Sequence, residues 1–115
     1  MTELESLREQ LRDFAAAREW DQFHSPKNLA MALAVEAGEL LETFQWLTDE
    51  QSRNLAPEAL AAASDEVADV LLYLLRLSDK LAIDPIAAAN RKLLANARKY
   101  PADKARGNSK KYSEL

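Results

Sequence analysis

The sequence predicts an all-α protein on the basis of three observations. Apolar residues recur every three or four positions along most of the chain, which is the spacing that lines one face of an α-helix. Ala, Leu, Glu, Lys and Arg are abundant and the only glycines are Gly38 and Gly107, so helix propensity is high. No segment of useful length alternates apolar and polar residues as a half-buried strand does.

The first predicted helix runs from about Glu3 to Arg18. Thr2 is its expected N-cap, and Glu5 stands where it completes a capping box. The apolar positions of this helix are Leu4, Leu7, Leu11, Phe14 and Ala15. We interpret the following segment, EWDQFHSPKN, as a loop because it mixes aromatic and polar residues.

The second predicted helix begins at Ser25-Pro26, an N-cap followed by proline at the first helical position. We expect it to reach about Leu47. Its apolar stripe is Leu29, Leu33, Glu36, Leu40, Phe44 and Leu47. The periodicity therefore gives Glu36 a core position, and such conflicts between pattern and chemistry are typical of functional sites.

The third predicted helix follows a polar connection, TDEQSRNLAPE, which has room for a short helical turn. It begins at Pro57 and reaches about Leu81. Two apolar rows run along it: Leu60, Ala63, Val67, Val70, Leu74, Leu77 and Leu81 form one, and Leu71, Leu72 and Leu75 form the other. A helix that is apolar on more than one face needs more than one neighbour, so we expect a second subunit to cover part of it.

The fourth predicted helix begins at Asp84-Pro85 and ends at Tyr100-Pro101. These four helices predict a four-helix bundle-like domain over residues 1–101. The remaining residues, 102–115, form a polar, basic segment that we expect to be a mobile tail. A chain of 115 residues matches the length of one domain.

Composition and charge exclude several classes of protein. The net charge of −4 gives no general attraction to nucleic acid or to an anionic membrane. The absence of cysteine excludes disulfides and thiolate metal sites. The N-terminal stretch has no apolar signal-peptide core, and no apolar run approaches membrane-spanning length. We therefore expect a cytoplasmic protein with neither nucleic acid nor membrane as a partner.

Two acidic pairs lie within the apolar helical sequence: Glu36 with Glu39, and Glu66 with Asp69. Each pair is spaced i, i+3, so both carboxylates project from one helix face. Burying several like charges is costly unless a cation compensates them. Facing each other across an antiparallel helix pair, the four acids would supply oxygen ligands for a hard divalent cation, for which Mg²⁺ is the natural candidate. The alternative is a solvated acidic face.

Aromatic residues form a second candidate set near these acids. Trp20 and His24 lie in the first loop, Trp46 lies at the end of the second helix, and Tyr73 follows Asp69 by four residues on the same helix face. A flat ring held between aromatic side chains beside metal-bound phosphates would be a nucleotide site. Packing in the core is the alternative for each of these residues.

The last helix supplies a third, basic set in which Lys92 and Asn96 lie one turn apart. These residues and the basic tail either face solvent or contact a polyphosphate. The chain has no glycine-rich phosphate loop, and its single histidine fits no Ser-His-Asp arrangement. Metal-assisted attack of water on a nucleotide phosphate is the reaction class that matches best.

Several motifs together resemble the MazG-like, all-α NTP pyrophosphohydrolase superfamily, in the branch that contains the dCTP pyrophosphatases. The acid pairs form ExxE and ExxD motifs, at Glu36 and Glu66 respectively. The similarity extends to EWDQFHSPKNLA, GELLETFQW, DEVADVLLYLL and the KxxxNxxKYP motif that starts at Lys92. It covers about Phe14 to Pro101, and the tail KKYSEL also looks like that of bacterial members.

The resemblance implies an enzyme that hydrolyses nucleoside triphosphates to the monophosphate and pyrophosphate with Mg²⁺, for which Mn²⁺ can substitute. It implies these metal ligands: Glu36, Glu39, Glu66 and Asp69. Of these, Glu36 or Glu39 would also orient or deprotonate the attacking water. It implies these substrate-binding residues: Trp20, His24, Trp46, Tyr73, Lys92 and Asn96. Family members form helical dimers and often dimers of dimers, so we expect this chain to associate with itself.

The substrate is expected to be dCTP or a modified dCTP, as in nucleotide-pool housecleaning. One departure bears on this expectation: the animal dCTP enzymes have a histidine where Leu11 aligns, so the preference for cytosine stays open if that histidine reads the base. The same chemistry on dUTP or another non-canonical dNTP is one alternative. A non-catalytic helical dimer that senses nucleotide or binds a partner is another, and a purely structural bundle is a third.

Overall fold

The computed structural model describes all 115 residues and contains helices but no strand. The all-α prediction is therefore confirmed. The α-helices are α1 (Glu3–Ala17), α2 (Pro26–Phe44), α3 (Asp49–Ser52), α4 (Pro57–Lys80), α5 (Pro85–Lys99) and α6 (Ala102–Ala105). Single 3₁₀ turns cover Asp21–Phe23 and Tyr112–Glu114.

Helix starts follow from local capping chemistry. The Thr2 hydroxyl accepts from the Glu5 amide at 3.1 Å, and the Glu5 carboxylate accepts from the Thr2 amide at 3.0 Å. The Ser25 hydroxyl caps α2 by accepting from the Asn28 amide at 3.1 Å, and Asp84 caps α5. These side chains satisfy amides that have no partner inside the helix. The predicted starts of the four long helices are confirmed.

The predicted end of the second helix was wrong by about three residues: α2 ends at Phe44 and does not reach Leu47. The reason is the start of α3, whose N-cap Thr48 needs extended backbone (φ −74°, ψ 164°). Thr48 and Gln51 form a second capping box. The residues between the two helices therefore form a turn.

The chain divides into two compact units, residues 1–82 and 83–115. In the first unit α4 packs on α2 and also contacts α1. Its buried apolar centre consists of Ala15, Leu29, Ala63 and Leu75. In the second unit the rings of Tyr100 and Tyr112 meet edge to face, with centroids 6.3 Å apart. The proposed separation of a domain at 1–101 from a mobile tail at 102–115 stays a prediction.

Large apolar side chains are exposed on the helices of the single chain. On α2 and α4 they are Met31, Val35, Leu41, Leu60, Val67, Leu71 and Leu74. The expectation that a second subunit covers this surface stays a prediction. None of the helices combines the length and the apolar character needed to cross a membrane.

Candidate active site

Three carboxylates meet where α2 packs on α4. One oxygen from each of Glu36, Glu39 and Glu66 lies within 4.8 Å of the others. One oxygen of Glu36 and one of Glu66 is buried without a hydrogen-bond donor. No lysine, arginine or histidine forms an ion pair with these acids. We call these three residues, together with Asp69, the acid cluster.

The electrostatics of the acid cluster show that its negative charge is not compensated within the chain. Burial, followed by the neighbouring Glu39 and the charges of Asp69 and Glu66, raises the pKa of Glu36 to about 7. Burial and the charges of Glu39 and Asp69 also raise the pKa of Glu66. Asp69 is half-buried and acts on both glutamates through its charge. A bound cation would favour the ionised form of these groups.

A cavity of about 210 Å³ lies among α1, the first loop and α4. Its walls are mostly apolar and aromatic side chains. The lining residues are Leu11, Phe14, Ala15, Trp20, His24, Asp69, Leu72, Tyr73 and Arg76. Because Asp69 belongs to this lining and its charge also acts on Glu36 and Glu66, the cavity and the acid cluster are neighbours.

The end of α1 directs Trp20 to the cavity. Glu19 has a left-handed backbone (φ 55°), and the Trp20 amide turns back to donate to the Ala15 carbonyl at 2.9 Å. This arrangement is a Schellman-type helix end. The Trp20 ring then lies edge-on to Phe14, with centroids 5.7 Å apart, and 6.4 Å from the His24 ring.

The rest of the first loop is fixed by hydrogen bonds to helices on both sides. The Asn28 amide group on α2 donates to the Phe23 carbonyl at 3.0 Å. Arg76 on α4 donates from Nη2 to Asp21 Oδ1 at 2.6 Å and from Nε to His24 Nδ1 at 3.1 Å. The loop therefore holds its aromatic residues against α4 instead of leaving them in solvent.

Three of the six substrate-binding residues predicted from the sequence lie together at the cavity. Trp20, His24 and Tyr73 all line the cavity. Trp46 is 87% exposed in the turn after α2 and is not part of this lining. Lys92 and Asn96 lie on α5 in the second unit. The roles of all six residues stay predictions.

Sequence reasoning missed two prominent residues of the cavity, Phe14 and Arg76. Phe14 belongs to the apolar stripe of the first predicted helix, and periodicity does not distinguish a core wall from a cavity wall. Arg76 was open to detection, because it follows Asp69 by seven residues and Tyr73 by three on one helix face. An arginine on a largely apolar face requires a partner, and its partners are Asp21 and His24.

Comparison with known sequences defines the class of protein. The MazG-like family matches residues 31–115. This chain therefore belongs to the MazG-like family.

Individual relatives are similar over nearly the whole chain. The chain is 45% identical to human dCTP pyrophosphatase 1 over 114 residues, covering 97% of this chain and 67% of the human protein. The Bos taurus dCTP pyrophosphatase 1 is 42% identical over 114 residues, with 97% and 68% covered. The crystal structure of a pyrophosphatase from Archaeoglobus fulgidus is 41% identical, with a TM-score of 0.83 over 88% of this chain and 94% of that one. These similarities confirm the resemblance and the predicted enzyme class, a nucleoside triphosphate pyrophosphohydrolase.

Proposed function

We propose that this protein hydrolyses dCTP, or a modified dCTP, to the nucleoside monophosphate and pyrophosphate in a Mg²⁺-dependent reaction that serves nucleotide-pool housecleaning. The observation that supports the metal most directly is the pair of buried, unpartnered carboxylate oxygens on Glu36 and Glu66. The similarity to dCTP pyrophosphatases from Homo sapiens and Bos taurus supports the substrate class.

The acid cluster fits a hard divalent cation. Its donors are all carboxylate oxygens, which are the ligands that Mg²⁺ prefers. One oxygen from each of three of these carboxylates lies within 4.8 Å of the others, and two oxygens of the acid cluster are buried without a hydrogen-bond partner. Glu36, Glu39, Glu66 and Asp69 would hold the ion. When bound, Mg²⁺ supplies Lewis-acid stabilisation of the charge on the substrate phosphates.

Glu39 is the member of the acid cluster best placed to act on water. It is exposed, whereas Glu36 and Glu66 are half-buried, so water reaches its carboxylate directly. In our proposal Glu39 accepts a hydrogen bond from the attacking water and takes its proton. The water oxygen bonds to the α-phosphorus as the bond to the α–β bridging oxygen breaks. Pyrophosphate leaves with that oxygen.

The cavity is proposed to bind the base. At about 210 Å³ it is smaller than the roughly 300–1,000 Å³ typical of pockets for drug-sized ligands, which suits a single base better than a whole nucleotide. Trp20 and Tyr73 supply aromatic surface, which favours stacking with a flat ring. A nucleotide bound in this way would extend past Asp69 towards the acid cluster.

The presence of leucine at position 11 means that a preference for cytosine has to be measured. Leu11 lines the cavity, and the family resemblance implies a histidine at this position in the animal dCTP enzymes. Leucine offers apolar contact but no hydrogen bond. Pyrophosphate release should therefore be measured across the standard dNTPs, dUTP and 5-substituted dCTPs, with Mg²⁺ and with EDTA.

We expect Mg²⁺-dependent release that is fastest with dCTP or its 5-substituted forms. Equal release from all nucleotides would keep the chemistry and discard the cytosine preference. No release from any nucleotide, by protein shown to be folded, would contradict the proposed reaction and favour a nucleotide-binding role without catalysis.

A further inference from the structure

Arg76 is a buried cation at the cavity wall whose contacts the proposed reaction does not use. Its side chain is 7% exposed and lies between the first loop and α4. It donates to His24 Nδ1 at 3.1 Å and to Asp21 Oδ1 at 2.6 Å, and its Nη1 lies 3.6 Å from Asp79 Oδ2. A guanidinium can only donate hydrogen bonds, so His24 Nδ1 and Asp21 Oδ1 must both act as acceptors.

This direction of donation determines the state of the His24 ring. Because Arg76 Nε–H points at Nδ1, that nitrogen carries a lone pair, and the ring proton of the neutral imidazole is on Nε2. Nε2 has no hydrogen-bond partner within the protein, and His24 lines the cavity. The ring therefore has one donor without a protein partner, on a residue that lines the cavity where the base is proposed to bind.

We propose that Arg76 is a positioning residue that holds His24 as its neutral Nε2–H tautomer, so that Nε2 donates a hydrogen bond to the base in the cavity. This inference rests on the proposed function and deepens it. It specifies that the base presents an acceptor to His24, either a carbonyl oxygen or an unprotonated ring nitrogen.

The charges around His24 agree with a neutral ring. Burial, followed by the positive charges of Arg76 and Lys80, lowers the pKa of His24, and Asp21 alone opposes this shift. Asp21 is itself occupied, because Arg76 and Lys80 both donate to its Oδ1. The same ion-pair network that disfavours the imidazolium thus fixes which nitrogen of the neutral ring has the proton.

The tautomer can be measured directly because His24 is the only histidine of the chain. Selective ¹⁵N labelling of histidine gives one imidazole, in which NMR distinguishes a protonated from an unprotonated nitrogen. We expect protonated Nε2 and unprotonated Nδ1 at neutral pH in the wild-type protein. In Arg76→Met we expect a mixture of both tautomers.

Arg12→Met is the matched control, because Arg12 pairs with Asp79 but neither contacts His24 nor lines the cavity. It should keep the wild-type tautomer. Protonated Nδ1 in the wild type, or an unchanged tautomer in Arg76→Met, would overturn the proposal. The wild-type spectrum decides the tautomer even if Arg76→Met does not fold, and Arg76→Lys then serves as the second variant.

The donor role is tested with dCMP and Mg²⁺ as the probe. We expect dCMP to shift the Nε2–H resonance, and Arg76→Met to raise the KM for dCTP by roughly tenfold, the loss of about one hydrogen bond. A purely structural role would instead lower the active fraction and leave KM unchanged. Binding of dCMP without a shift of Nε2–H would contradict the donor role. Absence of any nucleotide binding would overturn the proposed function as well. The tautomer is measured without nucleotide, so its result does not depend on the proposed function.

Discussion

Glu36 occupies an apolar position of its helix, where burying a carboxylate costs free energy. Its place in an apolar stripe predicts burial, and in the structure one of its oxygens is buried without a donor. The consequence is a pKa near 7, where an ordinary glutamate has 4.5. A metal-free protein therefore has to ionise this carboxyl against an unfavourable environment at neutral pH.

The stability of the metal-free protein should depend on pH through Glu36. A folded-state pKa raised from 4.5 to about 7 stabilises the protein fully below the unfolded value and loses that contribution as pH rises through 7. The direction of the Glu66 shift adds to this loss. In EDTA, we expect the Tm of the wild type to fall between about pH 5 and pH 8 more than the Tm of Glu36→Gln.

The control for this comparison is Glu42→Gln, since Glu42 is exposed on the same helix. It should keep the wild-type slope of Tm against pH. Excess Mg²⁺ at pH 8 should restore the Tm of the wild type. Equal slopes of Tm against pH in the wild type and in Glu36→Gln would show that the raised pKa of Glu36 does not affect folding stability.

For individual residues, the sequence predicts which side chains share a helix face. It does not predict which side chains from distant parts of the sequence contact that face. Glu36 and Glu39 were predictable as one group because the helix period alone sets their relation. The hydrogen bond between Arg76 and His24 joins residues 52 positions apart. Its formation depends on how the first loop packs on α4, which no local pattern encodes.

Among the helices, starts were predictable and ends less so. The start signals are side chains that hydrogen-bond their own helix, such as Thr2 and Ser25, and these are visible in the local sequence. The usual end signal is a glycine in the left-handed conformation. The ends of α1 and α4 instead place Glu19 (φ 55°) and Ala82 (φ 54°) there, so the usual signal is absent.

The left-handed residue at the end of α1 is a site for stabilisation. Glycine has no Cβ to clash in that conformation, which costs other residues about 1–2 kcal/mol. We expect Glu19→Gly to raise the free energy of unfolding by about 0.5–1 kcal/mol after its own entropic cost. Urea unfolding measures the change. Ala16→Gly, at an exposed position within α1, should instead lower the free energy of unfolding by about 1 kcal/mol. If both variants changed the free energy of unfolding in the same direction, that result would contradict backbone strain at Glu19.

The whole molecule has large apolar side chains that are more than half exposed on α2 and α4. Leu60 and Val67 on α4 are 59% and 55% exposed, and Met31 and Val35 on α2 are 56% and 60% exposed. Clusters of this kind mark interaction surfaces. The sequence predicted this exposed apolar surface, since a helix with two apolar rows needs two neighbours. It does not specify the arrangement of subunits, because that depends on how two surfaces fit in space.

We therefore expect the protein to sediment as a dimer or a dimer of dimers. Leu60→Glu should shift it towards the monomer, because a charge would have to be buried in the interface. Gln51→Glu, which adds the same charge at an exposed polar position on α3, should leave the sedimentation coefficient unchanged. A wild-type monomer at micromolar concentration would contradict a second subunit.

Pyrophosphate release from dCTP during a Mg²⁺ titration decides whether Glu39 and the acid cluster catalyse the reaction. It is compared among the wild type, Glu39→Gln and Glu42→Gln. Glu39→Gln removes one negative charge from the acid cluster while keeping its size, and Glu42→Gln makes the same change one helical turn away. We expect Mg²⁺-dependent turnover in the wild type and in Glu42→Gln. We expect Glu39→Gln to lose at least about a hundredfold in turnover, the scale of one general base, with its helices intact by circular dichroism. Near-normal turnover of Glu39→Gln with an unchanged Mg²⁺ requirement would contradict the role of Glu39 as metal ligand and general base in the acid cluster.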